Sequence, residues 1–249
     1  MKIRLDKLLV ERGLVASRER AQALILAGKV LVNEQKIDKA GTAVEEQAIL
    51  RLLGEDLRYV SRGGLKLERA LEYWHIDVEG KICLDVGAST GGFTDCLLQH
   101  AATRVIAVDT GQGQMDFRLR QDPRVRLLEK TNARYFTKEQ IGELVDLITM
   151  DVSFISATLV LPAVTNAALP KDDLGRKGRG IVVLIKPQFE VGREHVGKGG
   201  IVQDESAQMV AVEKVRRLLS DLGCGFTDTI ESPILGAEGN REFLLYGKF

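Results

Sequence analysis

The fold turns on the stretch Ile82-Cys83-Leu84-Asp85-Val86-Gly87-Ala88-Ser89-Thr90-Gly91-Gly92-Phe93-Thr94-Asp95-Cys96-Leu97-Leu98. An apolar run closes on a carboxylate, three glycines fall within six residues, and an apolar pattern then resumes. That order reads as a buried strand, a tight turn and the start of a helix. Glycine lets a backbone pass close to a ligand, and the free N–H groups of a helix start attract an anionic group. The spacing Gly87-x-x-x-Gly91-Gly92 departs from G-x-G-x-x-G, whose second glycine stands two residues after the first, so a nicotinamide or flavin dinucleotide is disfavoured.

Outward from this stretch, apolar runs alternate with helical segments. Strands are expected at 82–86, 105–108, 125–128, 145–150, 181–185, near 226–230 and at 243–246, with helices after Gly92, over 156–169 and over 205–222. The alternation predicts an α/β domain with a doubly wound, mainly parallel sheet, whose ligands sit at the carboxyl ends of the strands. Asp85, Asp109 and Asp151 fall at those ends. Asp109 follows Asp85 by 24 residues, close to the offset of roughly 20 at which an acid accepts hydrogen bonds from a ribose diol. Asn132, after the third strand, is assigned to the adenine side of the same ligand. Lys186 ends the run Ile181-Val182-Val183-Leu184-Ile185 and precedes Pro187, which sets an ammonium at the mouth of a central strand. Glu242 opens the last strand. Lys66 precedes the stripe Leu67, Ala70, Leu71 and Trp74, where the helix pattern alone describes a surface lysine.

The N-terminal part is built differently. Leu5, Leu8 and Leu9 give a short helix closed near Gly13, and a second helix is capped by Ser17, buried through Ala21, Leu24 and Ile25, and stopped at Gly28. Residues 30–37 form a small hairpin turning at Asn33. Residues 1–39 carry nine Lys and Arg against five Asp and Glu, while the 249-residue chain is formally neutral. A local basic patch is therefore available where a global field is not, and Arg4, Lys7, Arg18, Arg20 and Lys29 are the candidates for phosphate contacts. Residues 53–58, a glycine and three charges breaking the apolar pattern, read as a linker, which divides the chain into 1–59 and 60–249.

Composition narrows the class further. Cys83, Cys96 and Cys224 are odd in number, lack C-x-x-C spacing and sit in apolar company, and the three histidines form no ligand spacing. No disulfide and no metal is expected. No apolar run approaches the ~18 residues of a membrane span, so a cytoplasmic protein without a membrane partner, acting as a single copy, is expected.

Several of these motifs match known families. Asp85 to Phe93 resembles the first motif of S-adenosylmethionine-dependent methyltransferases in its FtsJ-like variant. The resemblance implies that S-adenosylmethionine is held by Asp85, Gly87, Ala88, Ser89, Thr90, Gly91, Gly92 and Phe93, with Asp151 beside it, in a seven-stranded Rossmann-like sheet. It also puts the methionine end of the cofactor at Gly91. Lys66, Asp151, Lys186 and Glu242 match in order the Lys-Asp-Lys-Glu catalytic tetrad of FtsJ-like 2′-O-ribose methyltransferases. Residues 3–37, with Arg4-Leu5-Asp6, Ser17-Arg18, Gly28-Lys29-Val30 and Val32-Asn33, look like the α+β RNA-binding fold first named for ribosomal protein S4.

Together with Tyr59-Val60-Ser61-Arg62-Gly63-Gly64-Leu65-Lys66-Leu67, Asp151-Val152-Ser153-Phe154, Lys186-Pro187-Gln188-Phe189-Glu190 and Val196-Gly197-Lys198-Gly199-Gly200, these motifs make the whole chain resemble the TlyA (haemolysin A) family. The resemblance implies 2′-O methylation of cytidine in ribosomal RNA, 16S or 23S or both, with ribosomal RNA or ribosomal subunits as partner. A ribose hydroxyl needs a base within reach as it attacks, and Lys186 is assigned that part. Desolvation and the cation at Lys66 favour a neutral amine there, Asp151 and Glu242 the charged one, and the sequence leaves the balance open. Two other classes compete. A membrane-active haemolysin is disfavoured by the lack of any spanning segment, and an RNA-binding protein with an inactive methyltransferase fold by the intact tetrad.

Overall fold

A computed structural model of the protein describes residues 2–15, 17–53, 58–169 and 177–249. Residues 54–57 of the expected linker lie outside the described residues. The chain divides into two compact units, Met1–Leu57 and Arg58–Phe249.

In the smaller unit the order is β1 (Lys2–Arg4), α1 (Leu5–Glu11), α2 (Arg18–Leu26), β2 (Val30–Val32), β3 (Gln35–Lys36), β4 (Ala43–Glu45) and β5 (Leu50–Leu52). Ser17 caps α2, its Oγ accepting the Arg20 N–H at 3.2 Å. The β2–β3 turn places Asn33 and Glu34 at φ 49° and 65°, the two left-handed residues that a two-residue hairpin of strand-matching twist requires. Strands β4 and β5 had no clear sequence signal. Each is three residues long and gains its identity from pairing, β4 with β1 and β5 with β2. Leu5, Leu9, Ala21, Ile25 and Val30 are fully buried and form the core.

Asp6 is buried with them, because it is fully partnered. It accepts hydrogen bonds from Arg4 Nε and Nη2 at 3.0 and 2.9 Å, Arg18 Nη2 at 3.1 Å and Gln22 Nε2 at 2.9 Å. The Arg4 guanidinium, helped by Gln22 and Arg18, holds this carboxyl well below the usual carboxylate range against the opposing cost of burial. One acid thus joins the first turn of α1, the start of α2 and the end of β1.

The larger unit runs α3 (Gly63–Tyr73), β6 (Ile82–Val86), α4 (Gly92–Gln99), β7 (Arg104–Val108), α5 (Phe117–Gln121), β8 (Val125–Leu128), α6 (Lys138–Ile141), β9 (Leu147–Met150), α7 (Leu161–Ala168), β10 (Gly180–Ile185), α8 (Pro187–Glu190), α9 (Glu205–Asp221), β11 (Phe226–Glu231) and β12 (Phe243–Lys248). Among the described residues its strands form one seven-stranded sheet in the order β11-β12-β10-β9-β6-β7-β8. Neighbours pair in parallel from β10 to β8, while β12 runs antiparallel to both β10 and β11. The expected helix over 156–169 divides into a 3₁₀ turn at Ala157–Leu159 and α7, with Pro162 in the first turn of α7, where the missing N–H costs nothing.

Both faces of the sheet are covered. Leu84, Ile106, Ile148 and Val183 pack with α6, α7 and α9, and their neighbours Cys83, Val105, Leu147 and Val182 with α3 and α4. Alternation along each strand sends successive side chains to opposite faces, and burial on both explains why β10 is apolar throughout.

Replacing Asp6 with Asn keeps the size but removes one charged acceptor. At neutral pH the smaller unit should lose about 1–3 kcal/mol. The stability owed to Asp6 is present above the unfolded carboxylate value of about 3.9 and is lost as pH falls through its lowered folded value. Wild type and Asp6→Asn should therefore differ at pH 7 and converge in acid, as urea denaturation followed by the Leu8 and Ile25 methyl resonances would show.

Candidate active site

The site follows from strand register. Val86 pairs with both Val108 and Met150, so the next residues, Gly87, Asp109 and Asp151, reach the carboxyl edge of the sheet at one level. Ile185 pairs with Phe243, and because β12 runs in the opposite direction, the end of β10 meets the start of β12. Lys186 and Glu242 become neighbours across that pair. A glycine is obligatory at 87. Its φ is 84°, and a Cβ there would stand 2.3 Å from the Asp151 carbonyl oxygen, which is backbone and cannot move aside.

Two cavities open at this edge and meet at Gly87, Ser89 and Asp151. The first, of about 440 Å³, also takes in Asp109, Asn132 and the segment from Val152 to Ile155, and its size falls in the range of small-molecule sites. Asp109 accepts the Ser89 N–H through Oδ2 at 2.8 Å and the Gly111 N–H through Oδ1 at 2.7 Å, which fixes its carboxylate plane at the cavity wall. Asn132 accepts the Arg134 N–H at 3.1 Å and lines the far side. The second cavity, of about 250 Å³, is lined by Ala88, Thr90, Gly92 and Phe93 of the turn and by Lys66, Asp151, Lys186 and Glu242. All four tetrad residues thus face one space.

Within it the charges pair off. Lys66 Nζ donates to Glu242 Oε2, and both residues are buried, at 8% and 3% exposure. The surface lysine that the helix pattern describes is absent, because α3 packs against α4 and the start of β12 and turns Lys66 inward. Lys186 Nζ donates to Ser153 Oγ at 2.7 Å and lies 2.5 Å from Asp151 Oδ1. That second contact is an ion pair off the hydrogen-bond direction, so buried Oδ1 has no directed donor. A carboxylate held by an ammonium at the junction of two cavities, beside the glycine turn, keeps lone pairs for a group that brings its own donor or positive charge.

Two residues of the opening turn sit elsewhere than the resemblance implied. Asp85 lines neither cavity. It is fully buried on the α4 side of the sheet, accepting from Thr94 Oγ1 at 2.6 Å and Thr149 Oγ1 at 3.2 Å, and burial pushes its carboxyl up to about 7 despite those bonds. Its place in the strand alternation sends it into the core, where it ties β6 to the first turn of α4. Gly91 also lines neither cavity. It enters α4 at φ 95°, and a Cβ there would strike Leu119 Cδ1 at 2.3 Å, so glycine answers to backbone conformation and to packing against α5. Gly92 makes room for the start of α3, since its Cβ would meet Ser61 Oγ at 2.3 Å and the Gly64 backbone N at 3.0 Å.

The pattern reading missed Ser153, Ser61 and Arg62, together with Ile234, Leu235 and Ala237, which close the tetrad cavity from the loop before β12. Ser153, Ser61 and Arg62 stood inside quoted motifs without being assigned to the site; Ile234, Leu235 and Ala237 carried no chemical signal. In the smaller unit, Arg4 and Arg18 are half exposed while bonded to Asp6, which gathers them at one place, and Lys7 and Lys29 are exposed. Arg20 is partly buried.

Residues 59–249 match the FtsJ-like methyltransferase family and residues 3–50 the S4 domain. The chain is 46% identical over 244 residues to the 16S/23S rRNA (cytidine-2′-O)-methyltransferase TlyA of Mycobacterium tuberculosis, covering 98% of this chain and 88% of that protein. Hemolysin A of Brachyspira hyodysenteriae is 40% identical over 98% of this chain and 99% of its own length. A solved structure of a hemolysin candidate from Streptococcus thermophilus superposes with a TM-score of 0.73 at 43% identity, covering 99% of this chain and 88% of that one. Aeropyrum pernix fibrillarin, solved with S-adenosyl-L-methionine, shares the fold at a TM-score of 0.52 and 15% identity, over 75% of this chain and 74% of its own. Among the described residues no helix is long and apolar enough to cross a membrane.

Gly87→Ala tests the junction. Its Cβ must either displace the Asp151 carbonyl or force the turn out of its left-handed conformation, at about 1–3 kcal/mol for the strain alone. Calorimetric titration with S-adenosylmethionine should show affinity reduced at least about tenfold in a folded protein.

Proposed function

Because the chain belongs to the TlyA (haemolysin A) family of FtsJ-like methyltransferases carrying an S4 domain, we propose that it transfers the methyl group of S-adenosylmethionine to the 2′-oxygen of a cytidine in ribosomal RNA. The observation that carries this reading is the meeting of the two cavities at Gly87, Ser89 and Asp151. One cavity has the size and polar wall of a nucleoside site, and the other holds two lysines and two acids. The curated relatives of known activity are named for 16S and 23S substrates, and this chain is taken to act on one or both.

Bound S-adenosylmethionine supplies an electrophilic methyl group on a sulfonium sulfur. Asp109 and Asn132 hold the nucleoside end in the first cavity, and Asp151, with its undirected Oδ1, faces the junction. Lys186 has to lie against the ribose hydroxyl as a neutral amine, having first given its own proton to solvent, and take the hydroxyl proton as the oxygen bonds to the methyl carbon and the carbon–sulfur bond of the sulfonium breaks. Asp151 and Ser153 aim that amine. Lys66, fixed by Glu242, adds a second positive charge that stabilises the oxygen as it loses its proton. Asp109, Asp151, Lys186 and Glu242 sit at strand ends and Lys66 on α3, so their geometry is set before substrate arrives.

Arg4, Lys7, Arg18, Arg20 and Lys29 of the S4 unit meet backbone phosphates, a contact that locates structured RNA without reading bases. This divides the labour, affinity in the first unit and chemistry in the second.

The direct test is transfer of labelled methyl to ribosomal subunits lacking the modification, with the product nucleoside identified; 2′-O-methylcytidine is expected, and a base-methylated product would overturn the assignment. In the same assay Lys186→Ala should lower the single-turnover rate by roughly 10²- to 10⁴-fold with cofactor affinity nearly intact. Lys186→Arg keeps the charge but cannot release a proton near neutrality, so it should not rescue.

Salt gives a separate handle. Affinity of the full chain for ribosomal RNA should fall linearly on a log–log plot against salt. The larger unit alone, residues 58–249, which keeps the buried Tyr59 that a cut at 60 would remove, should bind S-adenosylmethionine but bind the RNA far more weakly than the full chain.

A further inference from the structure

Lys186 opens a short helix, α8, that ends on Glu190, and Glu190 is buried. Its carboxylate turns away from α8 toward the loop that leaves β9. One oxygen accepts the Ala157 N–H at 2.6 Å and the other accepts the Ser156 hydroxyl. Lys214 of α9 closes the arrangement, donating to the Glu190 carbonyl oxygen at 2.9 Å and lying 3.4 Å from the carboxylate. A buried carboxylate needs such partners, and the first N–H of a 3₁₀ turn needs such an acceptor.

The same loop is held at its other end by Lys186, through Ser153 and Asp151. Between the two clips stands Phe154, a non-glycine residue at φ 63° and 92% exposed. A left-handed phenylalanine persists only where its surroundings over-determine it. The residues so held, from Asp151 to Ile155, form one wall of the first cavity.

From this geometry we propose that Glu190 is a positioning residue for the methyl transfer: by bolting the loop after β9 to α8, it fixes Asp151 and Ser153 against Lys186 and fixes the wall of the cofactor cavity. The inference rests on the methyl-transfer reading for its consequence in rate, and on the geometry alone for its consequence in cofactor binding. Glu190 lines neither of the two cavities, so it acts through Asp151, Ser153 and Lys186. Loss of the bolt lets the loop relax at Phe154, and a misplacement of about 1 Å near a reacting centre can cost about 10²-fold in rate.

The test compares Glu190→Ala, Glu190→Gln and Ser156→Ala in the full chain. Glutamine keeps an oxygen for the Ala157 N–H and an amide that can donate to Ser156 Oγ, whereas alanine removes both arms. Glu190→Ala should weaken S-adenosylmethionine binding, speed deuterium exchange at residues 152–157 and lower the single-turnover rate at saturating cofactor by about 10²-fold, with Glu190→Gln recovering to within roughly tenfold of wild type. Ser156→Ala removes one arm and should give a smaller loss of the same kind, which keeps the test open if Glu190→Ala does not fold. Unchanged cofactor affinity, exchange and saturated rate, with only a lower melting temperature, would reduce Glu190 to a structural role and overturn the proposal. If the wild type methylates no ribosomal RNA, the proposed function fails, while cofactor affinity and exchange at residues 152–157 still decide the role of Glu190.

Discussion

The close approach of Gly87 to the Asp151 carbonyl is the contact on which the rest of the larger unit depends. Strands β6 and β9 are neighbours in parallel, and their ends can come together because one of them carries no side chain at that point. The chain leaving β6 then folds back over the sheet edge, the Gly87 and Ala88 N–H groups both donating to the Val108 carbonyl at 2.8 and 3.1 Å. The two cavities share a boundary there. A Cβ at 87 would press on the Asp151 backbone at that shared boundary.

Charge is distributed around this contact in closed pairs. Lys66 with Glu242 and Lys186 with Asp151 place a lysine amine against a carboxylate where water is largely excluded, while Glu190 is buried and its partner Lys214 is half exposed. Burying any of these alone would be costly, so each pair is retained as a unit and fixes the distance between the elements that carry it. Asp85 is the exception. It is buried with hydroxyl and backbone partners but no cation against it, and burial raises its carboxyl to about 7. The difference separates two uses of a strand-end acid: Asp151 points at the cleft with a cationic partner, while Asp85 points into the core and stitches the turn to α4.

The smaller unit applies the same rule at its own scale. Asp6 is fully buried because Arg4, Arg18 and Gln22 reach it, and by reaching it the two arginines are held side by side with their outer halves in water. A buried acid thus organises an exposed basic cluster, which joins the stability of this unit to the charge it presents to a polyanion.

The sequence by itself made the sheet strands and the two-part organisation legible, because apolar runs and glycine spacing are local or ordered along the chain, while the tetrad came in only through the resemblance to FtsJ-like methyltransferases. Strands such as 82–86 and 125–128 were legible to the residue for that reason. The tertiary structure alone decided which way those residues face. The helix pattern made Lys66 a surface lysine, and packing of α3 against β12 buried it; Asp85 and Gly91 read as ligand contacts, and strand alternation and the entry into α4 turned them inward. It also decided the antiparallel placement of β12, which brings Glu242 to the end of β10, and the pairing of β4 and β5, whose three residues apiece carry too little pattern to announce a strand. Direction, register and burial arise from contacts between segments far apart in the chain, and a periodicity read along one segment holds no information about what will pack against it.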